Sequence, residues 1–500
     1  MLQKILENTK TYIDSMPKAE RKKKGQFFTS YETAVFMASM YDLSNVNQNV
    51  SILDPGSGSG ILASALIERL EKEACVRRIE LTCYETDEEV LPVLKSNLEF
   101  VKNHVKLDLA ISIVEEDYIL SQADDFNESI FQSVEQKKYD FIIGNPPYLR
   151  VLRNNPAAMA MPKVVHGAPN LYFLFLSMSI FNLKDDCELV YIIPRSWTSG
   201  AYFKKFRDYL FSNVSVEHIH LFVSRDKVFQ QEQVLQETMI LKVKRKYVQS
   251  EEILISSSNS NGDFDNTVDI IVSSKVVISG KDKFVFLPVN KEEVSILKIL
   301  GEFQESLPSL GMKMKTGIVV DFRQYDDLRE EETEETVPLF YSQHIKQGRV
   351  HHNPSGKGYD WIDSSKKGLI QTNKNYLFCK RFTAKEEHRR LQCGIYLARN
   401  FPQYNYIATQ NKINFIDNID GSCMDEEIVY GLYVILNSTI YDKYYRILNG
   451  STQVNSTEVN TMPIPDKGIL LEMGRKLLHK DDLTTKACDE ILMEVIHGYN

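Results

Sequence analysis

Residues 140–150 read DFIIGNPPYLR, an apolar run that ends in Asn145, Pro146, Pro147 and Tyr148. Two consecutive prolines stiffen the chain and remove two backbone donors, which suits a place where atoms must be held still. An amide side chain, a proline carbonyl and an aromatic ring fixed together have a specific chemical use. An exocyclic amine conjugated to a ring, as in adenine, is a poor nucleophile because its lone pair is delocalised. If the Asn145 side-chain oxygen and the Pro146 carbonyl each accept one of its N–H bonds, the nitrogen is drawn towards tetrahedral geometry and the lone pair localises. Positioning and electrostatics then carry the reaction, without a covalent intermediate. Tyr148 offers a flat face on which a base could stack, and Phe229, in DKVFQQEQVLQETMIL, is a candidate second wall. The plain alternatives are a rigid turn for the tetrapeptide and a core phenylalanine at 229.

A second constellation lies upstream. VSILDPGSGSGILASALI (50–67) has the form of a strand, an acidic end, a glycine-rich turn and a helix. Gly56, Gly58 and Gly60 allow a tight turn and close approach of a ligand to the backbone. The spacing G-x-G-x-G, with Ile61 where a dinucleotide fingerprint has its third glycine, differs from that fingerprint, and no G-K-[ST] follows. Asp54 at the strand end would repel phosphate and attract an ammonium. S-adenosylmethionine carries an α-ammonium and a sulfonium and no phosphate, so it suits this loop better than a nucleotide. Glu85 ends the next strand, where a ribose-binding acid sits in adenosine-cofactor folds. Asp117, in VEEDYIL, follows the third strand and could accept a bond from an adenine amine. A structural turn and two surface acids are the alternatives, each easier to accept singly than together.

These residues need strands to carry them. Candidates are VSILD (50–54), IELTCYE (79–85), LAISIVE (109–115), YDFIIG (139–144), ELVYIIP (188–194), VEHIHLF (216–222) and ETMILKVK (237–244). The first five are nearly continuous apolar runs, as strands covered on both faces should be, and helical patterns separate them. The expected fold is α/β: a doubly wound, mostly parallel seven-stranded sheet whose last two strands form an antiparallel edge hairpin. The polar stretch SSSNSNGDFDN (256–266) reads as a loop. The expected organisation is a cofactor-dependent catalytic domain at 1–245, including an N-terminal segment at 20–45, an irregular linker at 246–285, and a mixed α/β domain at 286–500.

Composition sets outer bounds. The chain has 500 residues, 43% hydrophobic and 25% charged, as an ordinary globular protein does. Cysteines 75, 83, 187, 379, 393, 423 and 488 form no C-x-x-C pair, which argues against a zinc module or a disulfide framework and fits a reducing cytoplasm. No metal is expected. The opening residues lack a signal-type apolar region, and the longest apolar stretch, LYFLFLSMSIF (171–181), is too short to span a bilayer. Net charge is −9, yet residues 341–415 hold 13 Lys/Arg against 4 Asp/Glu. Local clustering is what a nucleic-acid footprint requires, and a solvated surface is the alternative.

With these residues in place, the chain resembles the N6-adenine DNA methyltransferases of bacterial restriction–modification systems. KGQFFTS (24–30) is similar to the family's N-terminal cofactor segment, with Thr29 at its S-adenosylmethionine contact. DPGSGSG, CYE, EEDY and NPPY match its glycine loop, ribose acid, adenine-binding acid and catalytic tetrapeptide, in the gamma-class order that ends in a target-recognition domain. Many relatives have Ala-Cys where this chain has Gly56-Ser57. MKTGIVVDFR (314–323) and LNGSTQVNSTEVNTMPIP (448–465) are similar to stretches in the recognition half of PstI/BsuBI-type modification methylases, whose target is CTGCAG. The resemblance implies double-stranded DNA as partner, base flipping, a cognate restriction endonuclease sharing the site, and a monomer acting on one strand at a time. In the recognition half, Arg349, Lys357, Lys380, Arg381, Arg389, Arg390 and Arg399 are candidate phosphate or base contacts, and Gln453, in STQVN, a candidate base reader. Two other readings stay open: an NPPY methyltransferase acting on RNA or a protein glutamine, and a DNA-binding regulator with a dead catalytic fold.

Overall fold

A computed structural model describes residues 1–15, 25, 28–128, 137–167, 169–222, 238–353, 358–383, 387–449 and 453–499. The chain divides into two units, Met1–Asn290 and Lys291–Asn500.

The first unit is built on one sheet. Its strands are β1 (Asn49–Pro55), β2 (Arg78–Tyr84), β3 (Asp108–Val114), β4 (Tyr139–Gly144), β5 (Leu183–Pro194), β6 (Ser215–Phe222), β7 (Thr238–Lys244), β8 (Glu252–Ser258) and β9 (Val268–Ser273). They lie in the order β3-β2-β1-β4-β5-β7-β6-β8-β9. The pairs β1–β2, β2–β3, β1–β4 and β4–β5 are parallel, and β7 runs antiparallel to both β5 and β6. All seven expected strands are present, but the sheet has nine. The antiparallel pair β6–β7 is not its edge: β8 adds parallel to β6 and β9 antiparallel to β8. Residues 246–285 are therefore not a linker but carry two strands of the sheet, and the first unit extends to residue 290.

Helices α1 (Leu2–Ser15), α2 (Tyr31–Ser39), α3 (Ile61–Leu70), α4 (Leu91–His104) and α5 (Leu171–Asn182) accompany the strands. The stripe Ile61, Leu62, Ala65, Leu66 and Leu70 on α3 is buried throughout, as its helical spacing predicts. The apolar stretch 171–181 is α5, a core helix of 12 residues whose Asn170 side chain caps it by accepting the Tyr172 N–H at 3.3 Å. No helix among the described residues is long and apolar enough to cross a membrane.

The second unit carries a six-stranded and a five-stranded sheet, both mixed, followed by helices that include α6 (Glu426–Asn437) and α7 (Lys467–Lys480). Phe340, Tyr376, Phe378, Tyr396 and Phe415 pack together in its core. Helices α6 and α7 approach closely at glycines: a Cβ on Gly474 would fall 1.8 Å from the Glu427 carbonyl oxygen.

At the end of β4, Gly144 pairs with Tyr191 of β5, and a Cβ on Gly144 would lie 2.5 Å from the Tyr191 ring. That ring is fully buried, with its hydroxyl 2.6 Å from Ser179 Oγ, so it has no room to retreat. Gly144→Ala is expected to cost about 1–3 kcal/mol, the usual range for overpacking a core. Chemical denaturation of variant and parent checks this.

Candidate active site

The carboxyl ends of β1–β4 meet in a cavity of about 590 Å³. Because β1 is flanked by β2 and β4, the connections diverge to either side of it and leave a crevice above the strand ends. Of the residues singled out by sequence, Thr29, Gly56, Gly58, Glu85, Asp117, Asn145 and Pro147 line the cavity. Asp54, Gly60, Pro146 and Tyr148 lie next to it in the chain but do not line it. Phe229 and Lys357 fall outside the described residues.

The glycine loop is closed by its own neighbours. Gly56, Gly58 and Gly60 have φ of 71°, 54° and 77°, in the left-handed region that side chains disfavour. At Gly60 a Cβ would also meet Leu94 at 2.9 Å. Glu85 Oε2 accepts the Gly58 N–H at 2.9 Å, and Oε1 accepts those of Thr86 and Asp87, each at 2.9 Å. The same carboxylate thus braces the loop and faces the cavity, with lone-pair capacity left on Oε2 for a ligand hydroxyl. Burial raises its pKa, and the backbone donors work against that rise. Asp117 uses Oδ1 to accept the Ile119 and Leu120 N–H groups at 2.9 Å each, which fixes the carboxylate at the rim.

Asp54 stands behind the loop. It is 1% exposed, Oδ2 accepts the Ala63 N–H at 3.3 Å, and Oδ1 has no hydrogen-bond partner among the described residues. Burial pushes its carboxyl up to about 8, with the nearby Glu85 adding to the rise.

Asn145 enters from β4. Its Nδ2 donates to Thr29 Oγ1 at 3.1 Å, which marks Oδ1 as the accepting end of the amide. The Tyr148 N–H donates to the Gly25 carbonyl at 3.2 Å, and the Tyr148 hydroxyl to the Ile192 carbonyl at 3.0 Å. The tyrosine is 9% exposed, so its ring is fixed rather than mobile.

Sequence reading missed the aromatic lining. Phe28, Tyr84, Tyr118 and Phe175 all face the cavity; Tyr118 stands edge-on to Tyr84 at 5.0 Å and tilted to Phe175 at 5.4 Å. The position of Tyr84 and Tyr118 beside the two acids was the available signal. The lining also holds five carboxylates, Glu85, Asp87, Glu88, Glu116 and Asp117, and, among the described residues, no lysine or arginine. Such a wall repels phosphate and suits a cationic ligand without one.

In the second unit the basic residues separate into two kinds. Arg390 is 1% exposed, with its Nη1 donating to the Thr383 carbonyl at 2.7 Å and its main-chain N–H to Asp442 at 2.7 Å. Arg389 donates to the carbonyls of Leu436 and Ser438, at the end of α6, at 3.2 and 3.1 Å. Arg390 is corrected from a surface contact to a buried structural residue, and the partly exposed Arg389 supplies donors to the last carbonyls of α6, which a helix end needs. Arg349 is paired with Asp481 at 2.9 Å, and Arg399 with Glu426 at 2.9 Å. Lys380 and Arg381 remain partly exposed, and Arg381 lies over Phe382 at 5.4 Å. Gln453 is bridged to Phe382 through the backbone.

One feature of this unit was not anticipated. Phe322 is 80% exposed, with the Arg323 guanidinium 5.5 Å from its ring. Its loop is held firmly, since Val319 N–H donates to Thr409 and Asn411 N–H to Val319. Arg381 is tied to the same turn, through its N–H to the Lys412 carbonyl and Nη1 to that of Asn411. Two aryl–guanidinium pairs therefore flank the turn at 410–412.

A doubly wound sheet with an acidic, aromatic-lined crevice over the ends of its parallel strands is the architecture of an S-adenosylmethionine-dependent methyltransferase. Residues 67–229 match the family described as Eco57I restriction-modification methylase. The chain is 34% identical over 460 residues to the type II methyltransferase M.BsuBI of Bacillus subtilis, covering 90% of this chain and 89% of that protein. It is 31% identical over 480 residues to M.PstI of Providencia stuartii, covering 94% and 92%. The solved structure of the type IIL restriction-modification enzyme MmeI in complex with DNA shares the fold, with a TM-score of 0.50 and 10% identity over all of this chain and 74% of that one. The chain belongs to the BsuBI/PstI family of type II DNA methyltransferases. Its cofactor is S-adenosylmethionine, and the residues present fit it: glycines where the ligand meets the backbone, carboxylates for hydroxyl and amine groups, and aromatic rings for the purine.

Asp54 gives a pH test. Its folded pKa, about 8, lies above the ordinary 3.8, so the folded state keeps a proton that the unfolded chain gives up. Its contribution to stability is full below about pH 4 and is lost as pH rises towards 8. Asp54→Asn keeps an acceptor for Ala63 and removes this dependence. Urea unfolding at pH 5 and pH 8 is expected to show the variant gaining on the parent at the higher pH.

Proposed function

We propose that this chain methylates N6 of adenine in duplex DNA, within the site CTGCAG, on a nucleotide flipped out of the helix. A cognate restriction endonuclease shares the site, and the methyl group protects DNA from it. Adenine occurs once on each strand of that sequence, so a monomer without a resident metal would treat the strands in turn.

The observation that carries the reading is the position of Asn145. It lies at the end of β4, beside β1, in the wall of the cavity that also holds Glu85 and Asp117. Asn145 Oδ1 and the Pro146 carbonyl accept the two N–H bonds of the target amine. The bound cofactor supplies an electrophilic methyl group on a sulfonium. As the N–C bond forms and the S–C bond breaks, the extra proton on N6 is shared with these two acceptors and leaves to solvent. Pro147 keeps the carbonyl of Pro146 fixed by locking φ. Tyr148, held at both its N–H and its hydroxyl, provides a rigid face for the extruded base and helps offset the few kcal/mol that flipping costs. Asp54 orders the glycine loop from behind, Thr29, Gly56, Gly58 and Gly60 shape the cofactor cradle, Glu85 holds the ribose hydroxyls, and Asp117 the adenine amine.

In the second unit, Lys380, Arg381 and Gln453, each partly exposed, are taken as DNA contacts, while Arg349 and Arg399, also at least partly exposed, are engaged by Asp481 and Glu426. Phe322, Arg323, Phe382 and Lys412 join them around the turn at 410–412. Exposed aromatics beside guanidiniums stack on bases and pair with phosphates.

Two outcomes are expected. Asn145→Ala loses at least a hundredfold in transfer of labelled methyl to CTGCAG duplex while its DNA affinity stays within about threefold, since electrostatic stabilisation is of that size. Label appearing instead on RNA or on a protein glutamine would favour the other NPPY chemistry. Phe322→Ala weakens duplex binding about tenfold, from the 1–3 kcal/mol of a lost stack, with cofactor affinity unchanged. Fluorescence anisotropy with labelled duplex measures it.

A further inference from the structure

We infer that Thr29 is a positioning residue for methyl transfer: its hydroxyl holds the Asn145 amide in the orientation that accepts the target amine. The inference rests on the reading of Asn145 given above and goes beyond a cofactor contact for Thr29.

An asparagine amide has two ends of nearly the same shape and a broad χ2 torsion, so shape alone does not say which end faces a ligand. Turned over, the amide would present N–H groups to an amine that itself needs acceptors. With Thr29 Oγ1 in the acceptor role, Nδ2 is engaged at 3.1 Å across 116 residues of sequence and Oδ1 lies at the other end of the amide. Thr29 is placed to do this firmly. It is 6% exposed and directly precedes Ser30, whose side chain caps α2 by accepting the Thr33 N–H at 3.3 Å. The same segment grips the other end of the tetrapeptide, where the Gly25 carbonyl accepts the Tyr148 N–H. Pro146 and Pro147 have no N–H to offer, and among the described residues the segment holds the tetrapeptide through these two bonds. A Cβ on Gly25 would lie 3.2 Å from the Tyr148 nitrogen, which shows how closely the two chains run. Gly25 and Thr29 both line the cavity, so the segment that meets the cofactor also sets the amide.

The test uses the full-length enzyme with S-adenosylmethionine and a CTGCAG duplex. Thr29→Val replaces the hydroxyl with a methyl of the same size, and Thr29→Ser restores it. With both ligands saturating, the single-turnover rate of Thr29→Val is expected to fall about 10- to 100-fold, the scale of a lost hydrogen bond plus misplacement of a reacting group. Its calorimetric Kd for S-adenosylmethionine should stay within about threefold, and Thr29→Ser should recover the rate to within about threefold, because the bond is kept. A normal single-turnover rate with a raised cofactor Kd would overturn the inference, leaving Thr29 as a cofactor contact. Equal loss in Thr29→Ser and Thr29→Val would also overturn it. If Val lowers the melting temperature, Thr29→Ala is read by the same two quantities. Asn145→Ala with normal turnover would sink the underlying reading of Asn145, whereas an inactive Asn145→Ala beside a fully active Thr29→Val would sink this inference alone.

Discussion

The parallel pairing of β4 with β1 is the constraint on which the site depends. Ile52 faces Phe141 and Leu53 faces Ile142 in this pairing, so the two chains leave the sheet side by side. One delivers the glycine loop and the other Asn145. On the far side, β2 and β3 pair with β1 in series and bring Glu85 and Asp117 to the same edge. Neighbouring strands are about 4.8 Å apart, so the four strand ends span about 14 Å. That is the reach of a molecule with an adenosine at one end and an activated methyl near the other. Strand order therefore sets the distance between Asp117 after β3 and Asn145 after β4, and a different neighbour for β1 would change it.

Electrostatics then select what can lie there. Five carboxylates and, among the described residues, no basic side chain line the cavity, which would be costly if all of them faced one another unsupported. Glu85 and Asp117 are held instead by backbone N–H groups, Glu85 by three and Asp117 by two. These donors fix the oxygens without neutralising them, as a lysine would, so the wall keeps its preference for a cation. Asp54 belongs to a different layer. It is buried behind the loop, accepts the Ala63 N–H from within the turn, and has its pKa raised by that burial.

What the sequence revealed follows the range of the underlying forces. Apolar runs and glycine spacing are local properties, and they located β1–β7, the loop and the tetrapeptide. The two further strands were concealed by their polarity. Ser256, Ser257 and Ser258 of β8 are buried, which serine-rich composition does not suggest. The reason is lateral: His220 bonds Ser256 and Ser258 through its two ring nitrogens at 2.8 and 3.0 Å, and His218 bonds Ser256 at 2.7 Å. Burial pushes these imidazoles down to about 3 and about 4, so they stay neutral and the polar ladder stays paired. Such satisfaction depends on which strands become neighbours, which no local window contains. The aromatic lining escaped for the same reason, since Phe175 reaches the cavity from a helix that reads only as apolar core.

Charge counting shows the same limit in the second unit. The basic excess between 341 and 415 is real, yet in its densest part Arg390 is buried and the partly exposed Arg389 is spent on main-chain carbonyls. Arg389 closes the carbonyl end of α6, and Arg390 shares Asp442 with Arg446, which bonds the other carboxylate oxygen at 2.8 Å. A guanidinium has five donors in a rigid fork, so it can tie several carbonyls at once, and a protein that needs such ties consumes arginines that a census would assign to phosphate. On the face around residues 410–412, exposure and not count distinguishes the side chains that the proposed function gives to a nucleic acid. Phe322 and Phe382 carry guanidiniums over their rings, at 5.5 and 5.4 Å, on segments fastened to one turn. Net charge of the whole chain has little bearing on such a face, because screening confines each charge to about 8 Å at physiological salt.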